Sequence, residues 1–142
     1  MAPPKAGWST PMLHVASVER SLRFYELLGF ETIDTEGEPI GWARLHCEGG
    51  AIMLLLAEEP LDPGRAITPI YMYTSDLPAL RDHLVANGVA VPPISHPAYM
   101  KSGEICVKDP DGQAVYVGHW GRAEHEAWER HLAERKAKRE ER

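Results

Sequence analysis

Two stretches of this 142-residue chain are imperfect copies of each other, and this duplication restricts its possible folds more than any other feature. TPMLHVASVERSLRFYELLGF begins at Thr10, and TPIYMYTSDLPALRDHLVANGV begins at Thr68. At an offset of 58, Thr10 meets Thr68, Pro11 meets Pro69, Ser17 meets Ser75, Leu22 meets Leu80 and Arg23 meets Arg81. One extra residue then brings Gly29 to Gly88. Each copy opens on a short extended segment and runs into a helix. Ser17 and Asp76 are the cap candidates. Leu22, Tyr25 and Leu28, or Leu80 and Leu84, recur at helical spacing, and Gly29 or Gly88 stops the run. Pro78 falls in the first helical turn, where a missing N–H does no harm.

Three extended stretches follow each helix. In the first copy they are about 30–36, GWARLHCE at 41–48 and AIMLLLAEE at 51–59. In the second they are about 89–95, GEICVK at 103–108 and AVYVGHW at 114–120. The expected fold is therefore α+β, two βαβββ modules spanning about 8–58 and 66–120 within a domain of residues 1–121. EPLDPGRA at 59–66 is rich in turn formers and serves as the linker. DPDG at 109–112 suits a type I turn, with Pro110 fixing φ at the second position. Residues 122–142 predict a charged helical tail with a thin apolar stripe of Ala127, Trp128 and Leu132, anchored by Trp128. Glu126 with Arg130 and Glu134 with Lys138 stand at i,i+4 spacing.

Composition narrows the function. The net charge is −6, and the tail carries seven Lys/Arg against six Asp/Glu, so the first 121 residues hold eight against fifteen. Such a body lacks the basic stripe that nucleic-acid binding requires; its charge reads first as ordinary solubility charge and second as a preference for a cationic ligand. The longest apolar run, AIMLLLA at 51–57, is too short to span a membrane, and MAPPKAGWST lacks the apolar core of a secretory signal. A cytoplasmic protein is expected. Cys47 and Cys106 form no CxxC pair and are read as reduced, buried thiols.

Paired modules carrying SVERSLRFYELLGF in the first and DPDGQAVYV in the second resemble the vicinal oxygen chelate superfamily. That superfamily includes glyoxalase I, extradiol dioxygenases, fosfomycin resistance enzymes and bleomycin resistance proteins, and the resemblance covers about residues 8–120. It implies that each module curls into a half-barrel with helices outside and a ligand pocket on the concave face. It further implies a homodimer in which modules complete one another. For the metal enzymes of the group it implies ligands on each module's opening strand and four residues past the glycine before its closing strand. Those positions fall on Thr10, on Pro69 or Thr68, on Leu54 and on Tyr116. None is His, Gln or Glu, so neither metal nor organic cofactor is expected.

Residues two apart on a strand point the same way, which extends the concave face from those positions. Met12 and His14 follow from Thr10. Ile52 and Leu56 join Leu54. Ala43, Leu45 and Cys47 are assigned to the helix side, which leaves Trp42, Arg44 and His46 for the cavity. Tyr71 and Tyr73 follow from Pro69, and Tyr116 brings Ala114, Gly118 and Trp120. The predicted ligand-binding set is therefore Met12, His14, Trp42, Arg44, His46, Leu54, Tyr71, Tyr73, Tyr116 and Trp120, aromatic and apolar with a few polar tips. It suits a sizeable, partly flat organic molecule. The expectation is a metal-free binding protein of the bleomycin resistance type that sequesters a drug-like or natural-product ligand, with no catalytic residue assigned. Two alternatives stay open: a metal-free isomerase or cyclase using His14 and Tyr116 as acid and base, and a metal-dependent lyase or dioxygenase whose ligands lie elsewhere.

Overall fold

A computed structural model describes residues 2, 4–5, 9–65 and 69–141. Thr68 and the last linker residue, Ala66, lie outside the described residues. The elements in order are β1 (Met12–Val15), α1 (Val18–Leu27), β2 (Glu31–Glu36), β3 (Trp42–Cys47), β4 (Gly50–Leu56), β5 (Ile70–Thr74), α2 (Leu77–Ala86), β6 (Glu104–Lys108), β7 (Ala114–His119) and α3 (Arg122–Glu140). They form a four-stranded sheet, β1-β4-β3-β2, and a three-stranded sheet, β5-β7-β6. The chain divides into two compact units: Met1–Ile67 with Asp109–Gln113, and Thr68–Lys108 with Ala114–Arg142.

In the first unit β1 runs parallel to β4, while β3 is antiparallel to both β4 and β2. Ser17 caps α1 by accepting the Arg20 N–H at 3.3 Å. The helix turns Val18, Ser21, Phe24 and Tyr25 inward. Tyr25 is fully buried between Phe24 and Phe30, meeting each ring edge-on, with centroids 5.1 and 5.7 Å apart. Its hydroxyl donates to Asp109 Oδ2 at 2.8 Å. The other oxygen, Oδ1, accepts the N–H groups of Asp111 and Gln113, both at 2.8 Å, and the Gly112 N–H donates to the Asp109 carbonyl at 3.0 Å. Gly112 has φ +83°, and a Cβ there would lie 2.7 Å from Pro63 Cβ, so the turn requires glycine on both counts. Asp111 completes the joint by accepting the Ala16 N–H and the Arg20 guanidinium. Thus FYELLGF and DPDG, the two motifs behind the resemblance, meet at one buried hydrogen bond.

In the second unit β5 runs parallel to β7, and β6 is antiparallel to it. Asp76 caps α2 by accepting the Ala79 N–H at 3.1 Å, and Leu77 and Leu84 are its buried side chains. The strand expected at 89–95 reduces to one bridge between Ser95 and Glu104. Pro92 and Pro93 offer no N–H to a ladder, which explains the loss. After β7 the chain enters α3, which has no buried residue. Its start is pinned by Glu124, whose Oε2 accepts the Gly121 N–H at 3.0 Å. The Glu124 carboxyl is held below its usual range by its own backbone N–H and by the Ser102 hydroxyl. Cys47 and Cys106, expected to be buried, are both half-buried. No helix among the described residues is long and apolar enough to cross a membrane.

Candidate ligand-binding site

Register decides which side chains share a face. In the first sheet Met12 pairs with Met53, His14 with Leu55, Trp42 with Leu55 and Arg44 with Met53. Met12, His14, Trp42, Arg44 and His46 therefore share the face that α1 does not cover. Local contacts agree. The Trp42 indole N–H donates to Met53 Sδ at 3.4 Å, and Arg44 donates to His46 Nε2 at 2.9 Å and to Thr10 Oγ1 at 3.4 Å. His14 also borders a hollow of about 450 Å³ with Leu55 and residues 56–61.

Leu54 does not belong to this face. It pairs with Ala43, Ile52 pairs with Leu45, and all four are buried on the helix side. Cross-strand partners point the same way, so Ala43 on the helix side carries Leu54 with it, against the expectation that Leu54 lines the cavity. Leu56, paired with Val15, lies on that side too. On β4 the open face is made by Ala51, Met53 and Leu55.

The second sheet gathers the aromatic set. Tyr71 pairs with Tyr116 and Tyr73 with Gly118, while on the far side Cys106 pairs with Tyr116 and Glu104 with Gly118. Five rings run in a row: Tyr116 to Tyr71 at 6.1 Å between centroids, Tyr71 to Tyr73 at 5.2 Å, Tyr73 to Trp120 at 5.6 Å, and Trp120 to Trp128 of α3 at 6.4 Å. Tyr71, Tyr73, Trp120 and Trp128 border a cleft of about 680 Å³ with Tyr99, Met100 and His125. Trp120 lies one residue past the end of β7, where its N–H donates to the Thr74 carbonyl at 2.7 Å. Thus Tyr71, Tyr73 and Trp120 are brought together, with Tyr116 stacked behind Tyr71.

Behind these rings lies a carboxylate absent from the sequence-based set. Glu104 on β6 is only 5% exposed, and it accepts the Tyr71 hydroxyl at 2.6 Å and the Tyr99 hydroxyl at 2.8 Å. Tyr71 reaches it across β7, passing over Gly118. A Cβ at Gly118 would sit 2.8 Å from the Tyr71 hydroxyl oxygen and 2.9 Å from Met100 Cε, so the missing side chain is what makes the crossing possible. Desolvation and then the bond to Glu104 raise the Tyr71 pKa; for Tyr99 the bond to Glu104 is the leading cause of the rise. Both phenols stay protonated at neutral pH and give their only protons to the carboxylate. Tyr99, Met100, Trp128 and His125 were also outside the predicted set. One signal was available for Glu104 alone: it shares strand parity with Cys106, which faces Tyr116.

The residues at the metal positions of the resemblance do not fit a metal. Thr10, Pro69 and Tyr116 stand at three of them, and Met53 and Leu55 flank the fourth on the open face of β4. A first-row dication takes imidazole or carboxylate donors. The one phenol in the set, Tyr116, is neither imidazole nor carboxylate, and its pKa is raised chiefly by its interaction with Cys106. Among the described residues, no three His, Cys, Asp or Glu side chains are grouped so as to hold a metal ion.

The sequence matches the family model described as Glyoxalase/Bleomycin resistance protein/Dioxygenase superfamily over residues 9–117. Curated proteins give no match to the chain. Solved structures do. A bleomycin resistance determinant encoded on transposon Tn5 aligns with TM-score 0.66 at 18% identity, covering 80% of this chain and 98% of that one. A bleomycin-binding protein complexed with bleomycin aligns with TM-score 0.66 at 18% identity, covering 81% and 99%. TnmS3, an antibiotic-binding protein from Streptomyces sp. CB03234, aligns with TM-score 0.58 at 20% identity, covering 82% and 98%.

Proposed function

The chain belongs to the glyoxalase/bleomycin resistance protein/dioxygenase superfamily, and from that premise we propose that it binds a drug-like or natural-product molecule in the aromatic cleft of its second unit and holds it unchanged. The observation that carries this reading is the row of rings from Tyr116 to Trp128 bordering about 680 Å³ of space, a volume within the usual range for small-molecule sites. Flat aromatic walls offer a large contact area with little side-chain entropy to lose, which suits a planar organic ligand. Neither a metal nor an organic cofactor enters the reading, because sequestration needs only a complementary cavity. The protein acts in the cytoplasm as a homodimer. The first unit's face around Trp42 and His14 is a second contact surface, ranked lower because it has no comparable row of rings.

The test is tryptophan quenching by a panel of glycopeptide antibiotics and aromatic natural products, followed by titration of any hit against variants. Tyr73→Ala and Trp120→Phe should weaken binding several-fold, from a loss of about 0.5–1.5 kcal/mol per aromatic contact. If Trp42→Phe or His14→Ala abolishes binding while both cleft variants bind normally, the cleft is the wrong site. Mass analysis of the recovered hit that shows chemical conversion would replace sequestration with catalysis.

A further inference from the structure

We propose that the cleft selects ligands bearing a cationic nitrogen, and that Glu104, although screened from the cleft by two phenols, is the residue that sets this preference. The inference rests on the cleft being the binding site. It starts from donor and acceptor accounting. Tyr71 and Tyr99 border the cleft, but their hydroxyl protons point away from it, at 2.6 and 2.8 Å from the Glu104 oxygens. Each phenol therefore presents to a ligand only an oxygen lone pair and a ring face, both electron-rich. Donating to a buried carboxylate polarises a phenol further, since hydrogen bonds in series strengthen one another where water is excluded. The remaining rings, Tyr73, Trp120 and Trp128, add π faces that attract a cation within about 6 Å of a centroid.

Positive charge near the cleft is sparse. Among the described residues His125 is the one basic side chain bordering it, and its Nε2 lies 3.1 Å from Glu129 Oε1. Lys101 belongs to the adjoining hollow, which Glu124 also borders. An anionic ligand would meet the Tyr71 and Tyr99 lone pairs and the ring faces, with the Glu104 charge behind them. It could gain only from the Tyr73 hydroxyl, the indole N–H groups of Trp120 and Trp128, and His125. A neutral one would gain only the contact area. An ammonium or amidinium group carried on a flat body gains both contributions.

The experiment uses three soluble probes of one shape: meta-hydroxyphenyltrimethylammonium, its uncharged isostere meta-tert-butylphenol, and meta-hydroxybenzenesulfonate. Each is titrated into the full chain by calorimetry, with tryptophan fluorescence read in parallel. The cation should bind about tenfold more tightly than the isostere, and the sulfonate more weakly than either. Glu104→Gln should lower the ratio of cation to isostere several-fold, leaving the part due to the ring faces, while binding of the isostere persists. Tyr99→Phe removes one of the two phenol donors to Glu104 and should lower the ratio partway, with circular dichroism and a urea midpoint confirming that the variant is folded under the titration conditions. If the isostere matches the cation on the parent protein, the cation preference is overturned, and if the ratio survives both substitutions, Glu104 is overturned as the residue that sets it; in either case the cleft remains a binding site. If none of the three probes binds, the cleft reading itself falls and takes the inference with it.

Discussion

Replacing Gly118 with alanine tests whether the crossing of Tyr71 over β7 is as tight as it looks. A methyl group would lie 2.8 Å from the Tyr71 oxygen and 2.9 Å from Met100 Cε. The thioether tip can swing away, but the phenol is held at both ends, by β5 and by a 2.6 Å bond to Glu104. The strain therefore falls on that bond. A hydrogen bond to a charged acceptor contributes about 1.5–3 kcal/mol, and overpacking a filled site costs about 1–3 kcal/mol. Against this, alanine gains about 0.5–1 kcal/mol over glycine by losing less backbone entropy within a strand. The losses win, and the expected destabilisation is about 2–4 kcal/mol. Tyr71→Phe removes the oxygen and should by itself cost about 1.5–3 kcal/mol. In the Tyr71→Phe background, Gly118→Ala meets only Met100 and should cost less than about 1.5 kcal/mol. Urea unfolding of the four proteins, followed by fluorescence, closes the cycle, with an expected coupling of about 1–2 kcal/mol between contacting residues. Equal costs for Gly118→Ala in both backgrounds, within about 0.5 kcal/mol, would refute the crossing as the reason for the glycine.

Further outcomes follow from the same contacts. Tyr25→Phe should destabilise the chain by about 1.5–3 kcal/mol in urea unfolding, because the buried Asp109 loses a donor at 2.8 Å. Tyr25 and Tyr71 have folded pKa values raised above the unfolded value, first by desolvation and then by their carboxylate partners. Their contribution to stability is thus complete below about pH 10 and is lost as pH rises above it, so unfolding midpoints should drop there while tyrosinate absorbance at those sites lags behind that of free tyrosine. Ending the chain at Arg122 removes Trp128 and His125 from the cleft. It should leave a dimer by sedimentation but weaken aromatic ligands several-fold, and a monomer would mean that α3 builds the interface.

Much of the architecture was legible because duplication and alternation carry strong signals. Ser17, Asp76, Gly29 and Gly88 marked the helix limits to within a residue or two. Period-two alternation placed Met12 with His14, and Trp42 with Arg44 and His46, on common faces. The same rule failed on β4, and the reason is physical. AIMLLLA is apolar at every position, so its own sequence contains no parity, and the face of Leu54 followed only from its pairing with Ala43. Residues 89–95 read as a strand by apolar content, but two prolines leave the backbone without the donors a ladder needs. Glu104 had only its shared parity with Cys106 to mark it, for a different reason. A lone glutamate in GEICVK reads as a solvated rung, and its burial depends on Gly118 having no side chain and on two phenols from elsewhere in the second unit. Such cross-strand and loop contacts leave no periodic trace in the chain.

The motifs that identify the chain and the residues that would hold its ligand are separate sets, which has consequences for how changes in this protein sort. Tyr25 and Asp109 join α1 to the DPDG turn through a buried bond within the first unit. They border no part of the aromatic cleft, which is lined within the second unit by Tyr71, Tyr73, Tyr99, Met100, Trp120, His125 and Trp128. Substitutions at the joint should therefore lower stability with little change in affinity for a saturating folded population. Substitutions at Tyr73 or Trp128, which are 60% and 46% exposed, should do the reverse. Exposed aromatic rings on a sheet face contribute little to folding, and keeping them out of the core leaves apolar surface that water covers unfavourably. If a cationic ligand covers the row, burial of the exposed rings of Tyr71, Tyr73 and Trp128 on binding should show as a negative heat-capacity change in the calorimetric titration, and a change near zero would mean that the rings stay in water.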